Sequence, residues 1–216
     1  MTRTVRHHLA AALAAASLTA GLLAAAPAAH AVGIDLSDPA AVTVEPDWSC
    51  GSVGDSDRDI ATRLNLQLTG TLYQHLTPYR VSCARAIVNA VQAQNLPQRA
   101  AVIAVTTSIV ETTLRNNPNT EDHDSVGLFQ QRASWGSFAQ RMDPTWSTNA
   151  FLKAMVRVSN WQTRPIGEVC QAVQISAFPG RYQPQAADAE RIVNALLSSG
   201  SSGGDQPVAG NWDGGP

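Results

Sequence analysis

The sequence predicts an all-α fold: a single helical domain over residues 57–198, with an acidic arm at 32–56 and a Gly/Ser-rich, disordered tail at 199–216. Three observations carry that expectation. Apolar residues recur at three- and four-residue spacing in one segment after another, which is the period of a helix face. The segment 98–115 is apolar nearly all round, which predicts a buried central helix for the others to pack on. No alternating run is long enough for a strand, and no repeat of 20 to 50 residues is present.

The chain starts with a segment that reads as a secretory signal. Arg3 and Arg6 precede an Ala/Leu-rich stretch at 9–26, and Ala29-His30-Ala31 fits the small-x-small cleavage rule. An uncleaved anchor is the rival reading; cleavage after Ala31 implies a secreted product, extracellular or in a cell wall, with no membrane contact after processing. The arm at 32–56 is rich in Asp, Pro, Gly and Ser and lacks periodicity, with Trp48 available to dock it. Ile60, Leu64, Leu68, Leu72 and Leu76 predict a helix over 57–76, capped by Asp57 or Asp59. Ala84, Ile87, Val88 and Val91 make one face of a second helix at 81–94, which Leu96-Pro97 stops because the residue before proline is pushed out of helical geometry.

The apolar helix at 98–115 is ended by Asn116-Asn117-Pro118-Asn119. After a loop come short segments at 135–142, then a helix at 144–158 with Asp143 placed to cap it. Helices at 166–176 and 185–197 complete the domain.

Charge is uneven behind a net of -2: acids dominate before Ile60, whereas bases outnumber acids from there to Ser198. A mildly cationic body suits a polyanionic wall or glycan and falls short of the basic clustering of a nucleic-acid binder, so no nucleic-acid partner is expected. Cys50, Cys83 and Cys170 remain after export, and two should pair in an oxidising compartment. Cys83 with Cys170 is favoured because each sits in an amphipathic helix whose apolar face should meet the other's; Cys50 with Cys83 is the main rival. Their spacing makes no zinc pattern, and neither a metal nor a cofactor is expected.

The candidate chemistry lies between Ile109 and Arg132. A buried helix rarely closes on a carboxylate without reason, yet Glu111 closes this one, on the line of Thr107, Ala104 and Ile103. An apolar setting keeps a carboxyl protonated toward neutral pH, as a general acid at a glycosidic oxygen requires. The plain alternative is a glutamate on an exposed last turn. Glu121, Asp122, His123 and Asp124 form either a cation site or, more simply, a solvated loop. Trp135 and Trp161 offer faces for sugar stacking or for packing. No Ser/His/Asp set is spaced for nucleophilic catalysis.

Val110-Glu111-Thr112-Thr113, followed after a loop by Gly127-Leu128-Phe129-Gln130, resembles the signature of the lysozyme-like lytic transglycosylases: a helix-end Glu, then Gly-Leu-Met-Gln. Residues 80–198 are also similar to resuscitation-promoting factors and to lysozyme-like domains of actinobacterial wall hydrolases. The resemblance implies a lysozyme-like fold, a monomer, and peptidoglycan glycan strands as substrate, cut at the MurNAc-GlcNAc bond. Residue by residue, Glu111 matches the catalytic acid, Thr112 stands for the usual Ser, Phe129 replaces Met as an apolar wall, and Gln130 matches the Gln at the cleft. Ser176-Ala177-Phe178-Pro179-Gly180 is similar to the Ala-Tyr-Asn-Ala-Gly segment, with Phe178 in place of Tyr; that removes a hydroxyl from near the acid, and Tyr182 is the residue able to replace it.

Most glycosidases use two carboxylates, whereas a lone Glu can act first as acid and then as base on the 6-hydroxyl of N-acetylmuramic acid. No Asp directly follows Gln130, which favours the lone acid. Asp124 is the best second carboxylate for a hydrolase, ahead of Glu121, Asp122 and Asp143, because it directly precedes the Ser125 turn. A catalytically weak or inactive module that binds wall glycan, with a structural or signalling role, is the alternative function.

Overall fold

The computed structural model describes residues 47–120 and 123–201. The signal segment 1–31, residues 32–46 of the arm, Glu121, Asp122 and the tail from 202 lie outside the described residues. Within them are seven α-helices and no strand, an all-α architecture: α1 Asp55–Leu64, α2 Pro78–Ala93, α3 Gln98–Thr112, α4 Phe138–Met142, α5 Pro144–Met155, α6 Ile166–Gln174 and α7 Ala186–Ser201. No helix among the described residues is long and apolar enough to cross a membrane.

The near-uniform apolarity of α3 puts it at the centre, as expected. Every residue from Ala100 to Ile109 is buried, and α2, α5, α6 and α7 all pack on it. Side chains such as Ile103, Ile109, Phe151 and Ile192 fill the space between these helices. Each Leu- or Ile-sized side chain so buried contributes roughly 1.5–3 kcal/mol, which makes this seam the main source of cohesion.

Helix ends follow local chemistry. Thr77 caps α2 and is followed by Pro78, whose missing N–H costs nothing in the first turn. Asp143 caps α5 as expected, accepting from the N–H groups of Thr145 and Trp146 at 2.8 and 2.9 Å. Helix α3 stops three residues short of the expected end: Thr113 and Leu114 are both left-handed (φ 55° and 57°), and the Leu114 N–H turns back to the Ser108 carbonyl at 3.2 Å.

Three further expectations are corrected. The first helix does not run over 57–76: it spans Asp55–Leu64, and residues 65–76 form turns. Two side chains take the backbone donors there. Asn65 Oδ1 accepts from the Leu76 N–H at 3.0 Å, and Asp188 on α7 accepts from the N–H groups of Thr69 and Gly70. Asp57 is inside α1, buried, and bridged by both Nε and Nη2 of Arg85 at 2.9 Å. The disulfide is Cys50–Cys83, so the Cys83–Cys170 pairing is overturned; Cys170 is a free, buried thiol. Helix α6 packs chiefly on α3, where Cys170 faces the Ile103 carbonyl at 3.5 Å, whereas α2 packs on α1, α5, α3 and α7. Finally, α7 continues to Ser201, with the Ser199 hydroxyl on the Ala195 carbonyl, so the helix enters the expected tail.

Residues 47–54 are docked on the body. The Trp48 N–H donates to the Asn116 carbonyl at 2.9 Å, the Tyr79 hydroxyl donates to the Trp48 carbonyl at 2.8 Å, and the Trp48 ring meets Phe138 edge-on at 5.5 Å.

Candidate active site

Glu111 stands in the last turn of α3, half-buried, on the helix that the rest of the domain surrounds. Its Oε1 accepts a hydrogen bond from the Tyr182 hydroxyl at 2.6 Å. Tyr182 reaches it because α6 ends at Ile175 in a left-handed conformation and two 3-10 turns, Pro179–Arg181 and Gln183–Gln185, lead the chain back onto α3. The Gly167 N–H on Gln183 Oε1 at 2.8 Å secures the second of these turns to α6. The tyrosine ring is fully buried. Burial first, then the hydrogen bond and charge of Glu111, push its hydroxyl well above the usual tyrosine range. It therefore keeps its proton at any physiological pH and remains a donor.

Below Glu111, Cys170 and Thr107 line the same seam. Burial pushes the Cys170 thiol up to about 12, against a smaller opposing effect from Thr107 and with the charge of Glu111 adding to the rise. The thiol stays neutral there and leaves Glu111 without a second anion from this side.

The Ser125–Gln130 turn packs against the end of α3. Thr112 is buried, and its hydroxyl lies 3.2 Å from the Ser108 carbonyl and 3.3 Å from the Leu128 carbonyl while accepting from the Arg115 N–H. Gly127 has φ 79°, and a Cβ there would fall 2.2 Å from the Arg141 carbonyl oxygen, so neither the conformation nor the space admits a side chain. The Gly127 N–H donates to the Asn117 carbonyl at 2.8 Å, and Val126 and Gln131 pair across the turn. Gln130 is half-buried and left-handed (φ 46°). Phe129 does not line an open wall: it is fully buried and stacks on Phe151 at 4.8 Å, while its carbonyl accepts from Gln174 Nε2 at 3.0 Å.

Asp124 is engaged elsewhere. Its carboxylate accepts from the Ala133 N–H at 2.8 Å and pairs with Arg132, and these two contacts hold it below the usual carboxylate range. It is thus an ionised clasp across the 124–133 loop. Asp143 is likewise committed, as the α5 cap. Phe178 is exposed, with the Arg181 guanidinium 4.2 Å from its ring centre. Trp161 is buried in the core, which settles it as packing, whereas Trp135 remains partly open. No group of three His, Cys, Asp or Glu side chains suited to a metal gathers among the described residues.

Glu111 and Tyr182 are therefore brought into contact, with Thr112 joining the α3 end to the turn that carries Phe129 and Gln130. Sequence reasoning missed Arg141, which is buried and donates to the carbonyls of Asp124, Gln131 and Gly136. An arginine a few residues past a turn carries no local signal of that role. It also missed Gln174. A scan against protein-family models finds no match for the chain, and a search of curated proteins finds none at a significant level.

Proposed function

We propose that the chain is a secreted, lysozyme-like enzyme that cleaves peptidoglycan glycan strands at the MurNAc-GlcNAc bond, with Glu111 as the single acid and base. The observation that carries this reading is the Tyr182 to Glu111 hydrogen bond on a half-buried carboxyl at the end of an apolar helix. The donor fixes the orientation of the carboxyl. While Oε1 accepts from Tyr182, the proton of the neutral acid resides on Oε2, the oxygen that must reach the glycosidic oxygen. Donation leaves a carboxylate that the same hydroxyl stabilises by a charge-assisted bond. That carboxylate then takes the proton of the muramic 6-hydroxyl as it closes a 1,6-anhydro ring, which returns the acid to its starting state.

The commitment of Asp124 to Arg132 and Ala133 supports the lone-acid route over hydrolysis. Tyr182 at Glu111 answers the Tyr-to-Phe departure at Phe178, and this weighs against the inactive binding module. Incubating the secreted chain with purified peptidoglycan and identifying soluble products by mass spectrometry tests the proposal. Anhydromuropeptides should appear with the wild type and disappear with Glu111→Gln. Reducing-end products would shift the assignment to hydrolysis, and binding without released fragments would reject catalysis.

A further inference from the structure

A cavity of about 510 Å³ lies between α5 and the 132–137 loop, and neither Glu111 nor Tyr182 is among its lining residues. Its floor follows from spacing on the helix. Ala150 and Ala154 sit one turn apart and put only methyl groups into the space, which leaves a trough. Trp146 precedes Ala150 by a turn, and Trp135 brings a second indole from the loop. Asn149 and Lys153 lie one turn apart on α5, and Arg157, two residues past its end, lines the cavity with them, so an amide and two cations share the lining.

The walls are fixed by contacts of their own. Asp143 holds the N–H of Trp146, and the backbone of Gly136 approaches that ring so closely that an added Cβ would fall 2.4 Å from it. The Trp135 N–H donates to the Arg132 carbonyl at 2.9 Å, and Asp124 holds both Arg132 and Ala133. Gln94 Nε2 donates to Asn149 Oδ1 at 2.6 Å, so the Asn149 amide oxygen is taken up and its amino group is the donor it has left to offer. Among the described residues, Lys153 and Arg157 are exposed, neither is in an ion pair, and no carboxylate lines the cavity.

We infer that this cavity binds a saccharide bearing a carboxylate, with a pyranose ring against the indoles of Trp135 and Trp146 and its acid group between Lys153 and Arg157. Indoles offer apolar faces to the C–H side of a sugar ring, and a guanidinium and an ammonium lining the same cavity match one acid group. A phosphodiester polymer spreads its charge along the chain and would call for a longer cationic track. The inference needs no catalytic role for Glu111.

The test titrates the secreted chain, in a Glu111→Gln background so that no ligand is consumed, and reads tryptophan fluorescence and calorimetry. The probes are peptide-free oligosaccharides of alternating N-acetylglucosamine and N-acetylmuramic acid, and the same oligosaccharides with each carboxylate converted to its methylamide. The acidic probe should bind about tenfold more tightly than the amide. That preference should vanish in the Lys153→Gln, Arg157→Gln double variant, whose two side chains are exposed and in no ion pair among the described residues. Trp135→Ala, checked for fold by circular dichroism, should lose most of the fluorescence response. Equal affinity for acid and amide would overturn the inference. So would a preference that survives the double charge variant, or tighter binding of a glycerol-phosphate oligomer.

Discussion

The Tyr182 hydroxyl donates to Glu111 at the candidate site, and the value of that bond depends on what it is made to. A donor on a carboxylate is worth roughly 1.5–3 kcal/mol, more than a bond between neutral groups, and the ring that carries it is packed on every side. Tyr182→Phe keeps the ring and deletes only the donor, so the fold should survive while Glu111 loses its fixed orientation. If that bond is fully used in the transition state, kcat should fall about 10- to 100-fold with little change in KM. Steady-state kinetics on peptidoglycan fragments, with circular dichroism as the control for folding, measure this. An unchanged kcat would remove Tyr182 from the positioning of Glu111. The same scale shows why some residues were legible and others were not. Glu111 stood out because a carboxylate closing an apolar helix contradicts its surroundings. Phe129 did not reveal that it belongs to the core, because an aromatic ring suits a cleft wall and a helix seam equally well and only its stacking on Phe151 distinguishes them.

At the scale of elements, the Ser125–Gln130 turn is held from beneath by Arg141. This guanidinium is almost fully buried and gives its protons to three backbone carbonyls at 2.6 to 3.0 Å, with Gly127 pressed onto the Arg141 backbone above it. Arg141→Met fills similar space but leaves those carbonyls without their donor, at a cost of roughly 1–3 kcal/mol for each group left unpaired in the interior. Urea unfolding should show the midpoint falling at an unchanged slope. A midpoint within error of wild type would mean that water replaces the guanidinium. Helices were legible where period and end signals agreed: α2, α5 and α6 begin within three residues of their expected starts, each at a proline or just after one. The end of α1 was not. The apolar spacing continues to Leu76, but Asp188, more than a hundred residues away, captures the Thr69 and Gly70 N–H groups that a longer helix would have used.

For the molecule as a whole, the Cys50–Cys83 bridge decides how the N-terminal segment bears on the site. It closes a loop of 33-residue separation that contains α1 and the 65–76 turns, and it pins the arm where Trp48 reaches Asn116 and Asp47 lies 3.7 Å from Arg115, just beyond Glu111. The pairing was not legible, since apolar faces on two helices say that both meet the core, not that they meet each other; α3 takes the position between them. In the chain-entropy view, closing such a loop stabilises the fold by roughly 3–4 kcal/mol. Cys50→Ser should therefore lower the unfolding free energy by about that amount. The Tyr182 to Glu111 contact does not pass through the bridge, so at temperatures well below the midpoint the variant should keep most of its activity, in contrast to Glu111→Gln. Thermal unfolding together with the peptidoglycan assay separates these effects. Loss of activity without loss of stability would show that the arm shapes the cleft directly, and an unchanged midpoint would show that the docked Trp48 segment holds without its covalent tie.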